Sequence, residues 1–220
     1  MDSYEQLLTH FNIDKASFLE WGISSIIFPP VDKVALKWKD LKNRIFCNEQ
    51  VYIRSYGRDA HGTDLYIKLY EKLFDNSKVK KDPTNNAVPH RLIQQLTGLE
   101  RNKHLYNYQV SHIWGHTKNI FLFEAPWNIC YMPKVMDPFT GHETKGMLQK
   151  KFQELFLLKA SELYKPFIDE YNDLLIMLKI KEQLSEYINS LDNSISENKR
   201  MQFAKDAERE LSPIVCEKYL

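Results

Sequence analysis

Three polar residues, His112, Asn128 and His142, stand sixteen and fourteen residues apart within residues 106–146, which read YNYQVSHIWGHTKNIFLFEAPWNICYMPKVMDPFTGHETKG. Their types suit hydrolysis of a phosphodiester. That reaction needs a base for the attacking water and a cation to offset the charge that develops on phosphate. Histidine titrates near neutral pH, so His112 suits the base. A second histidine at the start of a helix, His142, suits a metal ion. The amide of Asn128 can orient an imidazole, or ligate the ion through its oxygen. Asp137 and Glu143 are the acids at hand to complete a metal site.

The elements that must position these groups follow from the same segment. Tyr106, Tyr108 and Val110 alternate as in a strand that ends at Ser111-His112. A loop follows, with Gly115 and Lys118-Asn119, and residues 127–132 read as a second strand. Pro133 and Pro138 shape the next turn, and Thr140-Gly141-His142 is expected to open a long helix. Trp127 reads as packing rather than as a base-stacking surface.

Ser111-His112-Ile113, then Trp127-Asn128-Ile129 with Pro133, then Thr140-Gly141-His142, resemble the HNH nucleases. The resemblance implies a ββα-metal fold, with the first histidine as general base, the asparagine positioning that base or the metal, and the last histidine on a divalent ion. It implies a catalytic set of His112, Asn128 and His142, and a metal set of His142, Asn128 and Asp137. It also implies Mg²⁺, or Mn²⁺, as cofactor, and double-stranded DNA as substrate. Small members with large helical flanks are similar to type II restriction endonucleases, so sequence-specific cleavage is expected. Many members carry Asp before the base histidine, where this chain has Ser111, a poorer ligand for a hard cation.

Two other readings compete. Asp137 with Glu143-Thr144-Lys145 matches part of the PD-(D/E)xK nuclease pattern, although six residues is a short separation. A helical DNA-binding protein without catalysis is the second, favoured by the missing Asp.

Around this unit the sequence predicts a mainly α (α+β) protein. Residues 1–100 are a mostly helical recognition region, 101–160 the ββα unit, and 161–220 a helical region with a possible dimer interface. Ser3 and Gln6 have capping-box spacing before an apolar face, and Pro29-Pro30 end that segment. Asp32 can cap the next helix, where Val34, Trp38, Leu41 and Ile45 recur at helical spacing. Residues 51–55 read as a strand, followed by a turn carrying Arg54, Arg58 and His61 between Gly57 and Gly62. Those three side chains, with Lys118 and Lys145, are the expected DNA contacts. Leu65, Leu69 and Leu73 mark a helix, residues 78–83 a polar connection, and Pro89 to Gly98 another helix. Pro166 should kink or restart the long helix. The apolar stripe from Leu148 to Leu191 is expected to form part of a homodimer interface, since a double-strand break needs two centres.

Lys plus Arg is 30 and Asp plus Glu 29, which excludes a strongly basic nucleic-acid coat and leaves local clustering. The three cysteines, Cys47, Cys130 and Cys216, form no C-x-x-C pair, so no structural zinc is expected and free thiols in a cytoplasmic protein fit. No signal-peptide pattern opens the sequence and no apolar run is long enough for a bilayer, so no membrane partner is expected.

Overall fold

The computed structural model describes residues 2–55, 61–140, 144–192 and 195–216. Expectations on Arg58 and His142 lie outside these residues, and of His61 only the backbone is described.

Two short helices, α1 (Ser3–His10) and α2 (Lys15–Ser24), open the chain. Each begins with an aspartate that satisfies orphan amides. Asp2 accepts from Tyr4 N at 2.9 Å, and Asp14 accepts from Ser17 N at 2.8 Å. The cap is therefore Asp2 rather than a Ser3–Gln6 box. Pro29-Pro30 do not terminate α2, which stops earlier, and they lead instead into α3 (Val31–Phe46). Pro30 occupies the cap position and Asp32 lies inside the first turn, where it faces the positive end of the helix dipole. The α3 residues Val34, Trp38, Leu41 and Ile45 are all buried, as their spacing requires.

Strand β1 (Val51–Ile53), helix α4 (His61–Phe74) and strand β2 (Val79–Lys81) form a β–α–β unit with parallel strands, Val51 opposite Val79. The stretch read as a polar connection thus contains a strand, one buried valine among lysines. Helix α5 (Ala87–Thr97) ends on Gly98, whose φ of 72° is the left-handed cap that glycine adopts without strain.

Strands β3 (Tyr108–His112) and β4 (Ile129–Pro133) are antiparallel, with Val110 opposite Tyr131 and His112 opposite Ile129. One face of this hairpin packs Val110, Ile129 and Tyr131 against Ile93 of α5. The other sends Cys130 and Met132 into the main core. The helix on the His112 face is therefore α5, which precedes the hairpin. Ile27 extends the sheet by a mutual pair of 3.0 Å backbone bonds to Tyr131.

After a 3-10 turn at Asp137–Thr140, the long helix α6 (Met147–Met177) begins five residues beyond His142, so that histidine does not open it. The helix continues through Pro166 without restarting. Helices α7 (Ile180–Ser190) and α8 (Glu197–Glu210) complete the chain. The stripe expected at a dimer interface is covered inside one chain. Leu148, Phe152, Phe156, Tyr171, Leu184 and Tyr187 all join the main core, which runs from Leu8 to Ile214. Tyr164 of α6 donates to the Pro29 carbonyl at 2.7 Å, and Glu170 accepts from Trp38 Nε1 at 2.7 Å. No helix among the described residues is long and apolar enough to cross a membrane.

Candidate functional site

A cleft of about 840 Å³ opens at the end of β3. Its walls bring together His112, Arg54, Lys118 and Asp137 from the expected set, with Asn86, and with Arg209 and Glu210 from α8.

His112 is half-buried at the last position of β3. Its Nε2 lies 3.0 Å from the Phe123 carbonyl oxygen, which can only accept, so Nε2 carries the hydrogen and Nδ1 keeps its lone pair. The Phe123 ring stacks on the imidazole, with centroids 5.3 Å apart. Burial pushes the His112 pKa down to about 4, against the pull of the Phe123 carbonyl, and the Arg54 charge lowers it further. At neutral pH the ring is uncharged and available to take a proton.

Residues 113–128, which join β3 to β4, are held by polar side chains that the buried backbone needs. Asn128 is fully buried. Its Oδ1 accepts from Trp114 N at 2.9 Å, and its Nδ2 donates to the carbonyls of Gly115 and Leu122 at 3.1 and 2.9 Å. This corrects one expectation. Asn128 makes no hydrogen bond to the His112 ring, and both ends of its amide are engaged in pinning the loop. Gly115 and His116 take positive φ of 71° and 51°, and glycine suits the first of these turns.

Asn119 does the same work at the other end of the loop. It donates to Tyr171 Oη at 2.8 Å and to the Glu210 carbonyl at 2.7 Å, and accepts from Phe121 N at 2.8 Å. Glu124, 5% exposed, accepts from Arg44 at 2.9 Å and from Tyr52 N at 2.5 Å, tying the loop to α3 and β1. Burial raises the Glu124 pKa and the Arg44 charge opposes that rise. Trp127 is packing, in edge contact with both Trp38 and Trp114.

Lys118 differs from its expected role. Its ammonium pairs with Asp206 at 2.5 Å and lies over the Tyr66 ring, while its backbone N–H donates to Glu210 at 2.8 Å. It therefore ties the loop to α8. Lys145 is exposed in coil and lies outside the cleft wall. For the PD-(D/E)xK alternative, Asp137 opens a 3-10 turn, Lys145 lies in coil and Glu143 is outside the described residues.

Among the described residues no three His, Cys, Asp or Glu side chains gather to hold a metal ion. The cleft wall carries the imidazoles of His112 and His116 and the carboxylates of Asp137 and Glu210, not gathered as three around one point, and the expected ligand His142 lies outside the described residues.

Sequence reasoning missed Asn119, Asp206, Arg209 and Glu210. The last three lie on α8, about ninety residues beyond the loop that Asp206 and Glu210 grip, and no local spacing links the two.

Residues 29–216 match the family described as Uncharacterised protein PM1201, a span that includes every described residue of the cleft wall. A protein of Pasteurella multocida (strain Pm70), described as Uncharacterized protein PM1201, is 40% identical over 189 residues, covering 84% of this chain and 86% of its own length. No solved structure matches the chain.

Proposed function

The chain belongs to the family described as Uncharacterised protein PM1201, and from the chemistry of the His112 cleft we propose that it is a nuclease that hydrolyses phosphodiester bonds in DNA. The observation that carries the reading is the bond between His112 Nε2 and the Phe123 carbonyl. It fixes the tautomer and turns Nδ1 into the proton acceptor, at a cleft that also holds the exposed Arg54. In this reading Nδ1 takes a proton from water as the oxygen attacks phosphorus, and the Arg54 guanidinium binds the phosphate oxygens. Phe123 and Asn128 keep the imidazole in register.

The resemblance to HNH nucleases adds the finer expectations: a Mg²⁺ or Mn²⁺ ion, double-stranded DNA and sequence-specific restriction. Ser111, where many HNH members carry an aspartate, favours a second reading, a DNA-binding protein without catalysis. One assay separates the two. Supercoiled plasmid is incubated with the protein in Mg²⁺, in Mn²⁺ and in a chelator, and the ends are sequenced. Cleavage that His112→Ala abolishes supports the nuclease, and discrete ends support restriction. DNA binding without cleavage in any condition supports the second reading and overturns the first.

A further inference from the structure

We infer that Arg209, near the C-terminal end of α8, is a phosphate-binding residue of the same cleft and works with Arg54 on a nucleic-acid backbone. The inference rests on the nuclease reading and extends it to a helix that the HNH resemblance does not reach.

Arg209 and Arg54 both line the cleft that holds His112. The Arg209 side chain is 68% exposed, yet it is not loose. Its Nη2 donates to Asp206 Oδ1 at 2.6 Å and to Glu210 Oε1 at 3.3 Å. These two carboxylates are themselves anchored. The Asp206 side chain is 11% exposed, and its second oxygen accepts from Tyr66 Oη at 2.9 Å and from Lys118 at 2.5 Å. Glu210 is buried and accepts from Lys118 N. Nε and Nη1 of Arg209 make no hydrogen bond among the described residues.

An exposed guanidinium with one nitrogen fixed and two nitrogens open is a pre-oriented fork. Orientation of this kind reduces the entropy lost when an anion binds, and the planar fork matches two phosphate oxygens. Arg54 follows β1, is exposed, and has no side-chain hydrogen bond among the described residues. A backbone phosphate entering the cleft therefore meets Arg54 from the N-terminal part of the chain and Arg209 from α8, with the His112 imidazole at the same wall. Asp206 is the positioning residue for Arg209.

Equilibrium binding of a fluorescein-labelled 20-base-pair duplex across a salt series tests this, in a His112→Ala background so that the probe survives. Arg209→Gln should weaken binding about tenfold and lower the salt slope by about one, as should Arg54→Gln. Arg209→Lys, which keeps the charge, should restore the slope but not the full affinity. Lys159→Gln, on an exposed position of α6 away from the cleft, should change nothing. Arg209→Gln also takes a partner from Asp206 and Glu210, so thermal melting is measured beside binding and affinities are compared at a temperature where every variant is fully folded. Parent-like binding and slope for Arg209→Gln, with Arg54→Gln weakened, would overturn the role of Arg209 and leave the nuclease reading standing. Absence of DNA binding by the wild-type chain would remove both.

Discussion

Phe123 holds His112 in two ways at once: its carbonyl oxygen lies 3.0 Å from Nε2, and its ring lies nearly parallel to the imidazole, 17° between planes. The first contact fixes the tautomer and the second excludes water from one ring face. Burial pushes the His112 pKa down to about 4, although the bond to the Phe123 carbonyl pulls it up, and the imidazole is neutral at pH 7. Cleavage, measured as kcat/KM, should therefore rise with pH through a limb near 4 rather than near 6.5, because the free protein's base is already deprotonated above it. Stability carries the complementary sign. The unfolded chain protonates His112 below about pH 6.5 and the native chain does not until about 4, so stability should fall as pH drops through that window. A urea titration at pH 7 and pH 5 checks this, and His112→Gln should lose that part of the pH dependence.

His112→Ala should reduce DNA cleavage by about a hundredfold or more and leave duplex binding within about twofold. Plasmid nicking and fluorescence anisotropy on the same preparation measure both. Equal loss of binding and cleavage would assign His112 to structure alone.

Asn128→Ala should destabilise the protein by about 3 kcal/mol or more. It leaves the part-buried Trp114 N–H and Gly115 carbonyl without partners and takes one of two donors from the buried Leu122 carbonyl, at about 1–3 kcal/mol for each unpaired group. Denaturant unfolding gives the number. A variant with wild-type stability would contradict the role of Asn128 as the pin of residues 113–128.

Glu124→Ala removes the buried one of two carboxylates on Arg44, which keeps Asp40, and the acceptor for Tyr52 N, and should cost about 2–4 kcal/mol. Charge removal at an exposed pair offers a contrast. Lys165→Ala breaks a surface pair with Asp169 and should cost less than about 1 kcal/mol. Paired melting curves decide whether the loop-to-α3 tie has the weight its burial implies.

Without DNA the protein should scatter light as one chain of 26.1 kDa, because the α6–α7 stripe that suggested a dimer is covered by α2, α3 and α4. Supercoiled plasmid should then pass through nicked circles before linear forms. A stable dimer at micromolar concentration would show that another surface pairs.

Periodicity made α3, α5 and the β3–β4 hairpin legible, because each carries an apolar pattern long enough to choose one face. It could not show β2, where a single buried Val79 sits among lysines, nor the start of α6, because Thr140 and its neighbours resemble a helix opening while the helix begins at Met147. At the candidate site, His112 and Asn128 were legible as polar groups at the two ends of one loop, and the structure places them there. Their partners were illegible for a physical reason. Phe123 contributes a carbonyl, which every residue has, and Asp206 and Glu210 reach the loop only through tertiary packing. The pairing of Lys118 with Asp206 was likewise illegible, because a sequence cannot display a carboxylate that tertiary packing brings.

The grip of α8 on residues 116–119 also has a consequence for timing during synthesis. The wall that carries His112 is tied to Asp206 and Glu210, so a growing chain cannot assemble it until translation has passed residue 210 and that stretch has cleared the ribosome. A nascent polypeptide that ended before α8 would expose the loop without its clamp. If the finished protein cuts DNA, the cell is spared a half-made blade.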